Sequence, residues 1–520
     1  MSKMVRGRKR RTGDEDRISN LPDDPLIMII NKLDTRTTVT TKILSRRWRD
    51  LPRRFTTSYN LAVDDMLPPH YHHLKSLSME AKAEYEADKN LHKLTNKSAI
   101  KARHERWMAK IRPLTADMDR YERLAMRRYV KQVDAFLLAP EDVRQRRPVQ
   151  KLRLQLPGRW HVNIDTWVTA AIDKWCVEDF ELIVDGYCLS YDLEQLNPYR
   201  NLRLERFALF KCDVPSDWKC LKPNRLTKLS LGGLDCAYIN EILTNCVELT
   251  HFRVTDSSGN REGFPINFRS SKLRNLQVDR CNFGIILLLS LPCLETFVCR
   301  GRPTEVYYRD VPRLGHVSLD FSEDNRDYAS GTRRKYPPSK FLEGVPDLDY
   351  LVMQFRGSHM WIEQLAFPTT FNQLNKLFIA NLPMNWDILW ILLLLDAAPA
   401  LESFHVHIDK SSGERSVGDF CASLDANAQQ HEYRRLKELV VAGFDGLVWQ
   451  TVFVRMIMKS SPELRRVHLL DGEVREEVQD LGHPQIVPCR REWRECERAE
   501  VLDNLTITTG FRWTPEIILE

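Results

Sequence analysis

The chain has 520 residues and a formal net charge of +6, and 43% of its residues are hydrophobic. This composition excludes a chain that is disordered throughout, and the length allows several domains or one large repeat array. The longest apolar run, ILWILLLLDAAPALESF, is interrupted by Asp396 and is far shorter than the roughly 18 residues that indicate a membrane span. We therefore expect a folded protein with no membrane partner.

The first segment, MSKMVRGRKRR, carries six basic residues and no acidic one. Because this excess is one short run and not a basic face spread over a fold, it does not indicate a nucleic-acid binder. We expect residues 1–16 to form a disordered tail that is either a solvated charge run or a nuclear import signal. It lacks the apolar core of a signal peptide, which favours the nucleus, the cytoplasm or both. The import candidates are Arg6, Arg8, Lys9, Arg10 and Arg11.

Residues 21–55, which begin LPDDPLIMIINKL, have the pattern of three short helices. Asp23 or Asp24 is expected to cap the first helix, with Pro25 at an early helical position. About 35 residues are too few to bury every apolar side chain internally, so these side chains dock on the rest of the chain or on another protein. In the first helix the apolar residues are spaced i, i+3, i+4 and i+7, which predicts one stripe. They are Leu26, Ile29, Ile30 and Leu33.

Residues 56–140 mix charges of both signs at helical spacing, which predicts exposed helices in a charged linker. Within this segment Trp107 marks a local packing point or a partner contact, and packing is the favoured prediction.

A pattern of the form L-x-x-L-x-L, with L for any apolar residue, recurs thirteen times after the linker. The copies begin roughly 20 to 35 residues apart, and most intervals lie in the range expected for leucine-rich repeats. Two long intervals, around residues 322–340 and 409–430, indicate loop insertions. The copies begin at Val149, Val177, Leu204, Leu226, Leu249, Leu273, Leu294, Leu314, Leu348, Leu374, Leu401, Leu436 and Leu464.

Alternation explains the pattern. In LRNLQV, Leu276 and Val278 are two residues apart and face one side of a short strand, while Leu273 anchors the preceding turn. One strand cannot bury that face alone, but stacked copies form a parallel sheet that is closed at the back by helices. The helix candidates between strands are AYINEILTNCVE, FGIILLLSLPC, NWDILWILLLLDAAPA and VWQTVFVRMIMKSSPE.

No constellation of enzyme chemistry is present. The chain has no phosphate-binding G-x-x-x-x-G-K-[ST] loop, no G-x-S-x-G elbow and no H-E-x-x-H pair, so we expect no catalysis and no cofactor. His405 and His407 face one side of a strand, but polar strand positions explain them better than a metal site does. Cys212 and Cys281 occupy a turn position of the repeat and are expected to be structural.

The order of these segments resembles plant F-box proteins with leucine-rich repeats and an FBD-like C-terminal region, particularly those of grasses. The segments LSRRWR, YVKQVDAFLLA, VQKLRLQL, VEDFELIV and FVRMIMKSSPELRRVHLLDG carry the resemblance. It implies an α/β protein in which a small three-helix F-box precedes a leucine-rich-repeat solenoid, a curved parallel sheet with helices on its outer side. The expected ranges are 17–55 for the F-box, 56–140 for the helical linker, 141–475 for the solenoid and 476–520 for the FBD-like or capping segment.

The resemblance also implies a function. F-boxes bind the Skp-family adaptor of cullin-RING ubiquitin ligases, and the repeats would bind a target protein for ubiquitination and degradation. The chain departs from the family pattern at Pro25, where an apolar residue is usual, and in its threonine-rich turn DTRTTVTTKI. The positions that match adaptor-binding residues are Leu21, Pro22, Ile29, Leu33, Val39, Leu44, Ser45, Trp48 and Leu51.

Two other functions fit the same architecture. The first is an interaction scaffold whose diverged F-box no longer engages the adaptor. The second is a sensor in which a small molecule joins the target to the repeats.

Overall fold

Each copy of the repeat folds as a strand of five to eight residues in this computed structural model. All thirteen predicted copies fall on strands, and the first apolar residue of every copy is buried two positions before its strand begins. The predicted α/β repeat fold is therefore confirmed. The structure describes residues 21–33, 37, 57–91, 97–138, 149–157, 164–185, 203–210, 226–233, 238–257, 265–322, 341–342, 344–345, 348–356, 370–383, 389–410, 432–475, 484–488, 493–506 and 515–520.

Contacts divide the chain into two units, Met1–Cys212 and Asp213–Glu520. In the first unit, four strands pair in parallel and in chain order. These strands are β1 (Ser58–Ala62), β2 (Lys151–Pro157), β3 (Asp179–Asp185) and β4 (Arg206–Phe210). The described helices of this unit are α1 (Asp23–Lys32), α2 (Pro69–Leu91), α3 (Lys97–Leu137) and α4 (Ile164–Thr169), which continues as a π-helical turn over Ala170–Lys174.

The segment expected to be a charged linker also supplies a strand, because β1 pairs with β2. Helix α3 of this segment contacts β1 and α4. The Tyr129 hydroxyl donates a 2.9 Å hydrogen bond to the Leu61 carbonyl, and Trp167 Nε1 donates a 2.7 Å bond to Asp134 Oδ1. Trp107 is a packing point as predicted, since its ring stacks on an aromatic ring of α2 with 4.8 Å between centroids. The charged segment is thus a packed part of the first unit.

The second unit contains a longer parallel sheet. Its strands pair in chain order except that the strands of a second layer and of a separate two-stranded hairpin are left out. The strands of the long sheet are β5 (Lys228–Gly232), β6 (His251–Thr255), β8 (Asn275–Asp279), β10 (Thr296–Gly301), β12 (His316–Ser322), β13 (Tyr350–Arg356), β14 (Lys376–Pro383), β15 (Ser403–Asp409), β16 (Glu438–Ala442), β17 (Arg466–Leu470) and β20 (Glu516–Leu519). The other strands are β7 (Pro265–Phe268), β9 (Ile285–Leu289), β11 (Glu305–Arg309), β18 (Gly472–Arg475) and β19 (Gln485–Pro488).

The second layer is partly helical and partly extended. Three helix candidates are confirmed as α5 (Ile239–Asn245), α6 (Leu389–Asp396) and α7 (Val448–Ser460), and a further helix, α8 (Glu495–Thr506), follows. The helix predicted for FGIILLLSLPC is wrong, because β9 forms there and pairs in parallel with β7 and β11. Ile286 and Leu288 are buried while their neighbours are partly exposed, and this alternation is the period of a strand.

The chain leaves successive strands through the same left-handed turn. One row of paired residues lies near the ends of β5, β6, β8 and β10, and it consists of Gly232, Thr255, Asp279 and Arg300. The residue after each of them has a positive φ. These residues are Gly233, Asp256, Arg280 and Gly301, and Gly443 plays the same part after β16. Glycine adopts this conformation without strain, whereas other residues seldom do.

None of the helices within these described ranges is both long and apolar enough to cross a membrane. The two predicted loop insertions lie almost entirely outside the described residues.

Candidate functional site

Helix α1 begins at Asp23 and is preceded by Pro22 in an extended conformation. The prediction that Asp23 or Asp24 caps this helix is wrong, since both lie inside its first turn. In that turn their negative charges lie near the positive end of the helix dipole. Pro25 is the third helical residue, where its missing N–H removes no intrahelical hydrogen bond. Its early position was predicted correctly, and it does not interrupt the helix.

The apolar side chains of α1 lie on two faces and not in the single predicted stripe. Leu26 and Ile30 are at most 2% exposed and pack with Leu21 in a small core. Met28 and Ile29 remain 63% and 38% exposed. Two adjacent large apolar side chains beside a small core offer a contact surface to a partner. We call Met28 and Ile29 the α1 docking pair.

Only part of the predicted adaptor-binding set lies on described residues. Pro22 and Ile29 are exposed, whereas Leu21 and Leu33 are half-buried. Sequence reasoning missed Met28, because its helical neighbours at i−4 and i+4 are charged and its position looks like part of a polar face. The predicted residues that lie outside the described ranges are Val39, Leu44, Ser45, Trp48 and Leu51, together with the import candidates Arg6, Arg8, Lys9, Arg10 and Arg11.

The long sheet of the second unit has a core face of buried apolar side chains and a second face, which we call the open face. Across β6, β8 and β10 the open face is ionic. Arg253 Nη2 lies 2.6 Å from Asp279 Oδ2, and Arg300 Nη1 lies 3.5 Å from Asp279 Oδ1. Asp279 is buried, so both guanidinium groups compensate a carboxylate that would be costly to bury alone.

From β13 to β17 the open face becomes apolar. Gln277 on β8, Ser318 on β12, Val352 on β13 and Phe378 on β14 lie in the same row of paired residues. This row is therefore polar at β8 and β12 but apolar at β13 and β14. We call this region the apolar strip. Its members are Val352, Phe378, Ala380, Val440, Ala442 and Leu470, and all are buried.

A polar cluster interrupts the apolar strip at β15 and β16. Ser403 Oγ lies 2.9 Å from Glu438 Oε2 and 3.0 Å from His405 Nε2, and His405 Nε2 lies 3.4 Å from the same Glu438 oxygen. The hydrogen bond with His405 lowers the pKa of Glu438 to about 2, and Ser403 adds to this effect against the cost of partial burial. A nucleophilic triad needs the imidazole between serine and carboxylate. Here Ser403, His405 and Glu438 all contact one another, and Ser403 bonds the carboxylate directly. The imidazole therefore does not lie between the other two groups, and the cluster is a structural network.

The other chemistry-bearing residues are also structural where the structure describes them. His407 Nδ1 accepts a 3.1 Å hydrogen bond from the Asn381 N–H, which occupies one of its two ring nitrogens. Burial raises the pKa of Cys281 to about 12, which suppresses thiolate formation as predicted for a structural cysteine. Cys212 lies outside the described residues. Among the residues that can be described, no three His, Cys, Asp or Glu side chains are placed to share a metal ion.

Two family models match the chain. The family described as "At1g61320/AtMIF1, LRR domain" matches residues 145–499, and the F-box domain family matches residues 18–56. The second range contains the α1 docking pair, and the first contains the ionic and apolar parts of the open face.

Short stretches of the chain are similar to curated proteins of Arabidopsis thaliana. The F-box/FBD/LRR-repeat protein At5g22660 is 58% identical over 45 residues, which is 9% of this chain and 10% of that protein. The F-box/FBD/LRR-repeat protein At2g04230 is 42% identical over 57 residues, which is 10% of this chain and 13% of that protein. The matches therefore span about a tenth of these relatives' length.

Proposed function

Because the chain belongs to the At1g61320/AtMIF1 leucine-rich-repeat family and carries an F-box domain before the repeats, we propose that it is the substrate-recognition subunit of a Skp-cullin-F-box ubiquitin ligase. Its two domains support a role in protein–protein interaction. In the proposed complex the F-box binds a Skp-family adaptor, and the open face of the repeats binds the target protein.

The observation that supports adaptor binding most directly is the α1 docking pair. Met28 and Ile29 keep 63% and 38% of their surface exposed although Leu26 and Ile30, on the same helix, are buried. A folded helix that exposes large apolar side chains gains free energy when a partner covers them. The outward pair lies inside the segment that matches the F-box family, where an adaptor would dock.

The proposed mechanism needs no bond chemistry from this chain. A subunit that binds the adaptor at one site and the target at another raises the local concentration of target lysines near a charged ubiquitin-conjugating enzyme. The repeats suit this role because they present a row of open-face side chains while the core face supports the fold.

The α1 docking pair provides the test. We expect Met28→Asp and Ile29→Asp each to weaken binding of a purified Skp-family adaptor by about tenfold or more, as for interface residues of hot-spot strength. Leu44→Ala and Trp48→Ala, at predicted adaptor positions, should have a similar effect. Binding is measured by isothermal titration calorimetry on the full chain, with circular dichroism to establish that each variant is folded.

The chain offers matched controls outside the F-box. Met79 is 65% exposed and Ile100 is 40% exposed, nearly as much as Met28 and Ile29. We expect Met79→Asp and Ile100→Asp to leave adaptor affinity unchanged. Equal losses for the two pairs, or no loss for either, would reject α1 as the adaptor contact. A folded chain that binds other proteins but not the adaptor would favour the scaffold alternative.

We also propose that the protein works in the nucleus, the cytoplasm or both, with the basic tail as the import signal. Replacement of Arg8, Lys9, Arg10 and Arg11 by alanine should shift a fluorescent fusion from the nucleus to the cytoplasm. An unchanged distribution would assign the tail no part in import.

A further inference from the structure

The apolar strip is covered by a segment of the chain's own C-terminal region. Val474 on β18 and Ile486 on β19 pack against Val352, Phe378 and Ala380. Ile486 also packs against the second group of the strip, which lies on β16 and β17. The covering element is the antiparallel hairpin formed by β18 and β19, which we call the hairpin.

The hairpin contacts the strip through one of its two faces. Val474 and Ile486 are directly paired across the hairpin, so both side chains lie on the same face. Glu473 and Val487 are the next cross-strand pair and therefore lie on the opposite face. The strip thus receives one apolar side chain from each strand of the hairpin.

The attachment of the hairpin is limited. Among the described strands, β18 and β19 pair only with each other and make no ladder with β13 to β17. Each has four residues, and a two-stranded hairpin of this kind is marginally stable by itself. Val474 and Ile486 are half-buried, whereas the strip beneath them is buried. The hairpin is therefore held on the strip by side-chain packing and not by a backbone ladder to the repeat strands.

The strip itself is unusual for an open face. A repeat sheet that meets solvent on this face would carry polar side chains. The open face around Arg253 and Asp279 is polar although Asp279 is buried. The strip instead carries six apolar residues in two clusters, one on β13 and β14 and one on β16 and β17, and Ile486 packs against both clusters.

We propose that the apolar strip is the docking surface for an extended segment of a target protein that carries apolar side chains, and that the hairpin occupies it as a displaceable internal ligand. This inference rests on the proposed function, since it places the target at this strip. Because the hairpin is tethered beside its site, an external segment must bind tightly enough to compete with a ligand at high effective concentration.

The test uses the full chain and a fluorescent synthetic peptide with the hairpin's own sequence, residues 471–489. Ile486→Asp removes the contact of the resident hairpin and leaves every strip residue in place. We expect the peptide to bind this variant about tenfold more tightly than it binds the unaltered chain, because the tethered competitor is gone. Fluorescence anisotropy measures this binding.

Two controls accompany the measurement. Val487→Asp puts the same charge on the opposite face of the same strand, and we expect it to bind the peptide no better than the unaltered chain does. A peptide that itself carries Ile486→Asp should not bind. Hydrogen exchange should show lost protection in β18 and β19 of the Ile486→Asp chain, with β14 and β16 still protected.

Equal peptide binding by the Ile486→Asp chain and the unaltered chain would overturn the proposal, as would no binding by either. Loss of protection in β14 and β16 together with the hairpin would also overturn it, because the hairpin would then be an integral part of the fold. None of these measurements uses the adaptor. Failure of adaptor binding therefore rejects the proposed function separately, and we expect Ile486→Asp to retain full adaptor affinity.

Discussion

The ionic and the apolar regions of the open face lie on one sheet and share one core. On β6 to β10 the open face is organised around the buried Asp279, with Arg253 and Arg300 on either side. On β13 to β17 the corresponding rows hold the apolar strip and the hairpin that covers it. The core face alone sets the fold, so the open face is free to differ between repeats. Its local chemistry is where binding specificity is expected to lie.

Substitutions in the core face, which the two regions share, should lower the free energy of unfolding most. Phe252 on β6 and Phe404 on β15 are at most 1% exposed on the core face. We expect Phe252→Ala and Phe404→Ala each to lower the free energy of unfolding by about 3–5 kcal/mol, because each leaves a cavity in the core. Urea denaturation followed by circular dichroism measures the loss. A loss below about 1 kcal/mol at either site would show that the two regions do not have equivalent cores.

The next effect separates a buried ion pair from an exposed one within the ionic region. Asp279→Asn should cost about 3 kcal/mol, because two neighbouring guanidinium groups lose a buried carboxylate. Asp256→Asn removes the partner of Arg280, whose side chain is 63% exposed, and should cost less than about 1 kcal/mol. Chemical denaturation of both variants provides the comparison. Equal costs would mean that burial does not set the strength of these pairs.

A smaller effect tests the left-handed turn after the strands. Gly443 has φ of +72°, and an added Cβ would overlap the Ile408 carbonyl oxygen. We expect Gly443→Ala to lower the free energy of unfolding by about 2 kcal/mol or more. Gly315→Ala is the control, since its backbone has no positive φ and its nearest neighbour is the Asp349 side chain. If thermal unfolding shows similar losses for both, the turn does not require glycine at 443.

The smallest effect is a pH dependence in the apolar region. Since the folded-state pKa of Glu438 is lowered to about 2 from an ordinary value of 4.5, the unfolded chain binds more protons between these values. The contribution of Glu438 to stability is therefore complete above pH 4.5 and is lost as the pH falls towards 2. Its side chain is 34% exposed, so we expect less than about 1 kcal/mol.

Glu438→Gln isolates this contribution. The variant should lose less unfolding free energy between pH 6 and pH 3 than the unaltered chain, as measured by urea titrations at the two pH values. An identical pH dependence would show that Ser403 and His405 do not stabilise the ionised carboxylate.

The sequence predicted the fold wherever local periodicity and tertiary structure agree. Every L-x-x-L-x-L copy became a strand, because its alternating apolar residues can be buried only by stacking. The order of an F-box before leucine-rich repeats was also predicted correctly. By contrast, FGIILLLSLPC was wrongly predicted as a helix, since a short apolar run fits a buried helix or a strand equally well. Strands β1 and β20 carry no full copy of the motif and were missed.

The site was less predictable than the fold. Periodicity identified the apolar residues of α1 but could not tell which side the small core would cover, so Leu26 and Met28 were not separated. Val474 and Ile486 pack in one cluster with Val352, which lies more than a hundred positions earlier in the chain, and no local pattern encodes this contact. Sequence reasoning predicted an adaptor site between Leu21 and Leu51, which stays a prediction, and it did not find the strip.

The proposed receptor function is tested most directly by the affinity of the chain for a purified Skp-family adaptor, measured with and without residues 21–55. We expect the complete chain to bind and the deletion to abolish binding while circular dichroism shows that the repeats remain folded. Undiminished binding by the deletion variant, or no binding by the folded complete chain, would contradict the assignment as a substrate receptor.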